Sequence, residues 1–461
     1  MSNPSSPRNL GRTHSFEALE VEGELPSDLA GTLYRVGPGL FERFGVRVDH
    51  PFDADGAITA VRVAAGGARG ATQIIESEGY REEEAAGRRL YGSGASTLRQ
   101  LRNNFTGRAK NTANTSAWAW NGGLYALMEG ARPTELDPET LAVAGERDLG
   151  VVARTFSAHP HRVAELETTF NFGVRYGKHC GLDLYALPDA GPVRQIGAID
   201  LPHNTLVHDF VATSTHLVFV ICPVELIMWR ALLGIGGIAK MLRWTPALGC
   251  ELIVVPLAEP ERPKRISCDA FWVWHFANGF AHGNDLVLDL CRYADFGSLD
   301  AIATGVRRSD PPRYQRAFID LDAGRVRFEL RGDAGVEFPR VHPAVEGRAH
   351  QFAWVSVEPE GPETGEGVGR IEPERGTLRA WMPAAGIKSG EPIPVPRGRG
   401  DDETDVWVLS LCHDGDSDRS FVAVLDGHEP ERGPVAKLWF DQRIPQTYHG
   451  VWVGADSEKT A

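Results

Sequence analysis

Short apolar runs recur along the chain from Gly31 almost to its end, each long enough for one strand. Examples are Thr168-Thr-Phe-Asn-Phe172, Leu217-Val-Phe-Val-Ile221, Glu251-Leu-Ile-Val-Val255, Asp285-Leu-Val-Leu-Asp-Leu290, Val326-Arg-Phe-Glu-Leu330, Trp407-Val-Leu-Ser-Leu411 and Phe421-Val-Ala-Val-Leu425. Turn chemistry separates them: Asn121-Gly-Gly123, Asp137-Pro138, Asp322-Ala-Gly324, Asp414-Gly415 and Asp426-Gly427. Gly31-Thr-Leu-Tyr-Arg-Val-Gly-Pro-Gly-Leu-Phe41 reads as a strand entering a Gly/Pro turn, and long amphipathic helical windows are scarce. Many short strands at regular spacing predict an all-β sandwich, barrel or propeller. No Pro/Gly/Ser linker divides the 461 residues, which favours a propeller, because blades add size without splitting the core. Seven blades would take roughly 60 residues each. The predicted organisation is a disordered tail over 1–14, one propeller domain over 15–455 and a short tail over 456–461.

One stretch breaks the strand pattern. Residues 223–244 are bulky and apolar, yet their longest uncharged run, Ala231 to Ala239, is nine residues. A bilayer needs roughly 20. The segment is therefore either a helix packed on the outside of the propeller or an interfacial element. In the second reading, which we adopt, Leu, Ile, Met and Trp enter lipid while Arg230, Lys240 and Arg243 sit at the headgroups.

Composition narrows the partners. The hydrophobic fraction of 42% and charged fraction of 24% are those of a soluble globular protein, and the formal net charge of −14 argues against nucleic acid. Six dispersed cysteines (180, 222, 250, 268, 291, 412) form no Cys-x-x-Cys pair, a pattern of reduced compartments. The first residues lack an apolar signal region, so the expected location is the cytoplasm, with peripheral membrane association through 223–244.

The candidate chemistry lies in histidines. His275 stands inside Phe271-Trp-Val-Trp-His-Phe-Ala-Asn-Gly-Phe280, an aromatic segment that offers its ring few solvent partners. Three more histidines stand at similar strand ends: His159 in Ala158-His-Pro160, His208 in Val207-His-Asp-Phe210 and His449 in Tyr448-His-Gly450. A core histidine bonded to backbone is the plainer reading of any one of them. Together they predict one metal ion on the propeller axis. Four neutral imidazoles without a thiolate suit iron, copper, nickel or zinc rather than magnesium or calcium. A ligating imidazole usually donates its other N–H to a carboxylate, and the candidates are Glu129 (Leu127-Met-Glu-Gly130), Glu337 (Val336-Glu-Phe-Pro-Arg340) and Glu403 (Asp401-Asp-Glu-Thr-Asp405). His161 and His203 lie close enough to His159 and His208 for either to be exchanged with its neighbour.

Several motifs resemble those of the carotenoid cleavage oxygenases, with closest likeness to the animal-type branch of β-carotene oxygenases and the retinal pigment epithelium isomerohydrolase. They are Gly37-Pro-Gly-Leu-Phe41, His50-Pro-Phe-Asp-Ala-Asp-Gly56, Ala158-His-Pro-His161, Val287-Leu-Asp-Leu-Cys291, Glu337-Phe-Pro-Arg340 and Ile444-Pro-x-x-Tyr-His-Gly450, and the likeness runs from Gly31 to Val453. The resemblance implies a seven-bladed propeller with a helical and loop cap over the active-site face. It implies Fe(2+) on His159, His208, His275 and His449, with Glu129, Glu337 and Glu403 serving three of them and His159 left without a carboxylate. It implies a dioxygenase that uses O2 to split a conjugated double bond of a lipophilic carotenoid or apocarotenoid into two carbonyl products, retinal among them, with 223–244 docking on a membrane. Adjacency to the motifs nominates Phe41, Thr115, Met128, Trp274, Phe276 and Phe338 as tunnel residues.

Two departures stand out: Asn278-Gly-Phe-Ala281 lacks the family's acid, and Glu403-Thr-Asp-Val406 replaces Glu-Asp-Asp-Gly. The stilbenoid-cleaving branch has a lysine where this chain has Met128, which favours a carotenoid over a hydroxystilbene. A retinoid-ester isomerase or hydrolase, and a non-catalytic lipid-binding propeller, are the other readings.

Overall fold

The apolar runs become strands buried on both faces. In the strand His216–Ile221, Leu217, Phe219 and Ile221 pack on one side with Phe170, Phe172 and Leu182, while Val218 and Val220 pack on the other with Trp272 and Leu288. Its neighbour Cys250–Pro256 divides in the same way, Ile253 and Val255 to one side and Leu252 and Val254 to the other. Side chains alternate along a strand, so a sheet sandwiched between two others must be apolar at every position. The core is accordingly a series of layers between adjacent sheets. Trp354 and Val368 pack with Val408 and Phe421, and Leu33 and Val61 pack with Val422 and Leu438.

The computed structural model describes residues 7–233, 238–359, 361–398, 400 and 402–455. It is a seven-bladed β-propeller. Blade I contains His449–Gly454, Gly31–Leu40, Asp55–Ala64, Gly67–Ile74 and His14–Ala18; blade II contains Ser116–Trp120, Gly123–Leu127, Thr134–Leu136 and Val143–Glu146. Blade III begins at His161–Val163, blade IV at Val211–Ala212 and blade V at Trp272–His282. The long strand Arg325–Arg340 ends blade V, pairing with Arg313–Asp320. It then starts blade VI, pairing with Ala353–Val357. Blade VII is built on Val406–Asp414, Arg419–Asp426 and Pro434–Trp439. The ring is closed twice by the chain ends. His449–Gly454 pairs with Gly31–Leu40, Val36 opposite His449, and Glu20–Gly23 pairs with Pro434–Trp439. Closure leaves few open sheet edges and brings a residue from the far end of the chain to the axis.

Short helices and loops supply the cap. The helix Glu78–Ala86 is tied down by Glu83, fully buried, which with Asp55 faces Arg43, Arg89 and Lys110. The insertion begins and ends in a small hairpin, Val224–Leu226 against Leu242–Trp244, with the helices Met228–Leu233 and Ile238–Met241 between. Residues 234–237 of the expected membrane segment lie outside the described residues. Ordered structure starts earlier than a tail over 1–14 would have it. Leu10 is buried and its N–H donates to Gly39 O (2.8 Å), and Asn9 Oδ1 accepts from Phe41 N (2.7 Å). The apolar Leu10 side chain and the Asn9 amide give this segment partners on blade I that its polar composition concealed. Residues 1–6 and 456–461 lie outside the described residues.

Candidate metal centre and substrate cavity

All four histidines sit where inner strands meet the axis. His159 precedes the strand His161–Val163, and His208 precedes Val211–Ala212. His275 lies within Trp272–His282, and His449 opens His449–Gly454. Their Nε2 atoms face one another: His159 to His208 at 3.0 Å, His208 to His275 at 3.3 Å and His275 to His449 at 3.2 Å. One nitrogen from each of the four lies within 4.8 Å of the others.

The partners of the opposite ring nitrogens suit the cluster to a cation. His275 Nδ1 donates to Glu337 Oε2 (2.6 Å), His449 Nδ1 to Glu391 Oε1 (2.9 Å), and His208 Nδ1 to Glu129 Oε1. A carboxylate only accepts, so these contacts assign a hydrogen to Nδ1, and in the neutral ring Nε2 then carries the lone pair. Burial pushes His159 well below the usual histidine range, with the neighbouring imidazoles adding to it. Burial likewise holds His449 at about 4, against the pull of Glu391. Several lone pairs pointing at one spot repel unless a positive ion lies between them. The donor set fits a divalent first-row metal: all nitrogen, no thiolate, and carboxylates in the surrounding layer.

The structure places Glu129 against His208 and Glu337 against His275. Glu403 is elsewhere: its carboxylate accepts from the backbone N–H groups of Gln351 (2.8 Å) and Phe352 (2.9 Å) and approaches none of the four. Glu391 takes the position expected of it, accepting from His449 Nδ1, Arg340 Nε (2.8 Å), Gly450 N (2.9 Å) and Arg35 Nη1. The physical reason was partly visible in the sequence. Glu403 belongs to an acidic turn, and its carboxylate is taken up by the backbone of a neighbouring loop. Glu391 is a single acid in Gly390-Glu-Pro392 between the short strands Ile387–Ser389 and Ile393–Pro396, the second of them buried and apolar.

The choice between His159 and His161 is equally clear. Both ring nitrogens of His161 are committed, Nε2 to Asp209 Oδ1 (2.9 Å) and Nδ1 to Glu346 Oε1 (2.8 Å), so it has no lone pair to offer. Its basicity is raised to about 10, the two carboxylates outweighing burial.

Backbone irregularities aim the side chains. The strand carrying His275 slips register between Val273 and Phe276 and again before Asn278. The long strand slips between Glu337 and Arg340, where Phe338 adopts φ 51°, a left-handed conformation costly for a bulky residue. Bulges of this kind re-aim side chains beside functional sites. Here the result is that the Phe338 ring stacks on His275 with centroids 5.1 Å apart.

A cavity of about 370 Å³ opens onto the histidines, walled near them by Phe41, Phe52, Thr115, Trp274, Phe338 and Tyr448. Four nominated tunnel residues, Phe41, Thr115, Trp274 and Phe338, therefore line it. Phe276 and Met128 do not. Phe276 follows His275 on the alternate face of its strand and is buried between blades IV and V. The Met128 thioether turns back to accept from Gly130 N (3.0 Å).

Residues 9–454 match the protein-family model described as retinal pigment epithelial membrane protein. Among curated proteins, the apocarotenoid-15,15'-oxygenase of Synechocystis is 32% identical over 94% of this chain and 92% of its own length. The isoeugenol monooxygenase of Pseudomonas nitroreducens is 26% identical over 94% of each chain. Among solved structures, cobalt-substituted apocarotenoid oxygenase from Synechocystis superposes with a TM-score of 0.88 at 30% identity, covering 98% of this chain and 99% of that one.

Proposed function

The chain belongs to the retinal pigment epithelial membrane protein family, that of the carotenoid cleavage oxygenases, and from this premise we propose that it is an iron-dependent dioxygenase cleaving one conjugated double bond of an apocarotenoid or carotenoid. The observation that carries the proposal is the convergence of four imidazole Nε2 atoms at an aromatic-walled cavity. His159, His208, His275 and His449 would hold ferrous iron, which would supply the centre for reaction with dioxygen. Glu129, Glu337 and Glu391 keep three of those rings in the tautomer that presents Nε2, and they neutralise positive charge that would otherwise be buried without compensation.

The rest of the chain's contribution is shape and dryness. Phe41, Phe52, Trp274 and Phe338 offer apolar faces along which a flat polyene can lie, and they exclude water from the reacting bond. Trp274 is fixed by its indole N–H donating to Ser298 Oγ (2.8 Å), and Phe52 meets it edge-on with centroids 6.2 Å apart. The overall change balances without a proton: one C=C bond and one O2 give two C=O groups. With an apocarotenal panel under 18O2, each of the two carbonyl products should carry one labelled oxygen at formation. Products free of label would instead support an isomerase or hydrolase.

We also propose that the protein meets its lipophilic substrate at a membrane surface. Among the described residues, no helix is long and apolar enough to cross a bilayer. The helix Thr97–Thr106 lies against Met228–Leu233 of the insertion. Leu98, Phe105 and Trp229 are exposed at 82%, 75% and 55%. Leu98, Leu101 and Phe105 fall on one helical face, beside Arg99 and Arg102, the arrangement of an interfacial helix. Changing Leu98, Phe105 and Trp229 together to serine should lower liposome co-sedimentation at least tenfold, since each large apolar side chain contributes about 1.5–3 kcal/mol when fully buried. Removing 226–242 should act in the same direction. Unchanged co-sedimentation in both would reject the membrane reading.

A further inference from the structure

Three candidate ligands have a carboxylate behind the ring; among the described residues none stands behind His159, yet the four Nε2 atoms converge alike. What holds His159 begins two residues later. His161 Nε2 donates to Asp209 Oδ1 (2.9 Å), and Asp209 directly follows His208. The same Oδ1 accepts from Phe210 N (2.7 Å), and Oδ2 accepts from Phe276 N (2.9 Å), the residue directly after His275. On its far side His161 Nδ1 donates to Glu346 Oε1 (2.8 Å). One carboxylate, 2% exposed, therefore joins the first strands of blades III, IV and V, in each case beside a candidate ligand histidine. A smaller link runs in parallel: Ser157 Oγ accepts from His159 N (3.1 Å) and donates to His208 O (3.3 Å).

We infer that the His161–Asp209 pair is a positioning device for the metal centre, registering His159, His208 and His275 through their backbones and substituting for the carboxylate that His159 lacks. This rests on the metal reading proposed above. Both His161 ring nitrogens are committed to carboxylates and the Asp209 oxygens accept from His161 and from backbone N–H groups, so the pair acts through the three strands. A buried charge-assisted pair is suited to this, since its hydrogen bonds are short and directional and losing one partner leaves the other buried and uncompensated. Ordinary packing would hold the blades together but would leave the angle of each first strand less defined.

Metal-free protein titrated with Co(II) tests the inference, because the visible ligand-field absorption reports the geometry of the nitrogen donors. His161→Ala and the milder His161→Gln should weaken Co(II) binding by about 10–100-fold, the usual effect of disturbing a residue behind a metal ligand, and should change the band positions or intensities. Glu346→Gln, which leaves the Asp209 contact in place, should cause a smaller loss. If His161→Ala does not fold, His161→Gln decides the matter. Affinity within twofold of the parent and an unchanged spectrum in His161→Gln would overturn the inference, even if the metal-free protein melts at a lower temperature. Failure of the parent chain to bind Co(II) would instead overturn the metal reading, and this inference with it.

Discussion

Replacing His275 with alanine is expected to abolish stoichiometric iron and to lower turnover at least a hundredfold. Disturbing a partner behind a metal ligand already costs 10–100-fold in affinity, and this change removes one of four donor atoms outright. The fold should tolerate it. Glu337 would lose the His275 contact but keep Tyr293 Oη at 2.9 Å and its own neighbour Phe338 N. A stability loss of about 1–3 kcal/mol is therefore expected, that of one weakened buried polar contact. Iron per chain, measured by mass spectrometry on protein purified without a histidine tag, together with product formation, is the check. A His275→Ala chain that kept both its iron and its turnover would remove His275 from the metal centre.

The largest effect on stability should come from Glu391. Its carboxylate is 2% exposed and is shared by His449, Arg340, Gly450 and Arg35, whose own side chain is 1% exposed. Burial by itself would raise this carboxyl, but Arg340, His449 and Arg35 hold it well below the ordinary range, so it is a charged group inside the protein. Glu391→Ala leaves the Arg35 guanidinium buried with only Thr447 Oγ1 and Tyr448 O as partners. Breaking a buried pair by deleting one member costs about 3–5 kcal/mol, which should appear as an earlier urea midpoint. Iron content should fall as well, because His449 loses its acceptor. Glu403→Ala is the contrasting case: it removes acceptors for two backbone N–H groups, should cost about 1–3 kcal/mol, and should leave iron unchanged. If the Glu403 variant lost iron and the Glu391 variant kept it, the assignment of the third carboxylate would be reversed.

Much of this architecture was legible in the chain because its physical cause is local or periodic. A strand buried on both faces has to be apolar throughout, so runs such as Leu217–Ile221 and Phe421–Leu425 announce themselves without any knowledge of their neighbours. Histidines at the ends of such runs are conspicuous because little else nearby can satisfy an imidazole. Glu129 and Glu337 adjoin apolar segments for the same reason. What could not be read there depends on contacts between distant parts of the chain. Nothing near Glu391 reveals that Arg35 and Arg340 will meet it, and the acidic run around Glu403 drew attention to the wrong carboxylate. The orientations of Phe276 and Phe338 depend on register slips that no alternation rule anticipates.

The amino-acid sequence by itself determined the strands, the all-β class and the four imidazoles, since these follow from side-chain alternation and from donor chemistry. Tertiary structure alone decided which histidine of the pair 159 and 161 joins the cluster, which acids stand behind its rings, and which aromatic rings wall the cavity. Each of those outcomes depends on ring closure bringing groups from separate blades within hydrogen-bonding distance, a property of the assembled propeller and of no single segment.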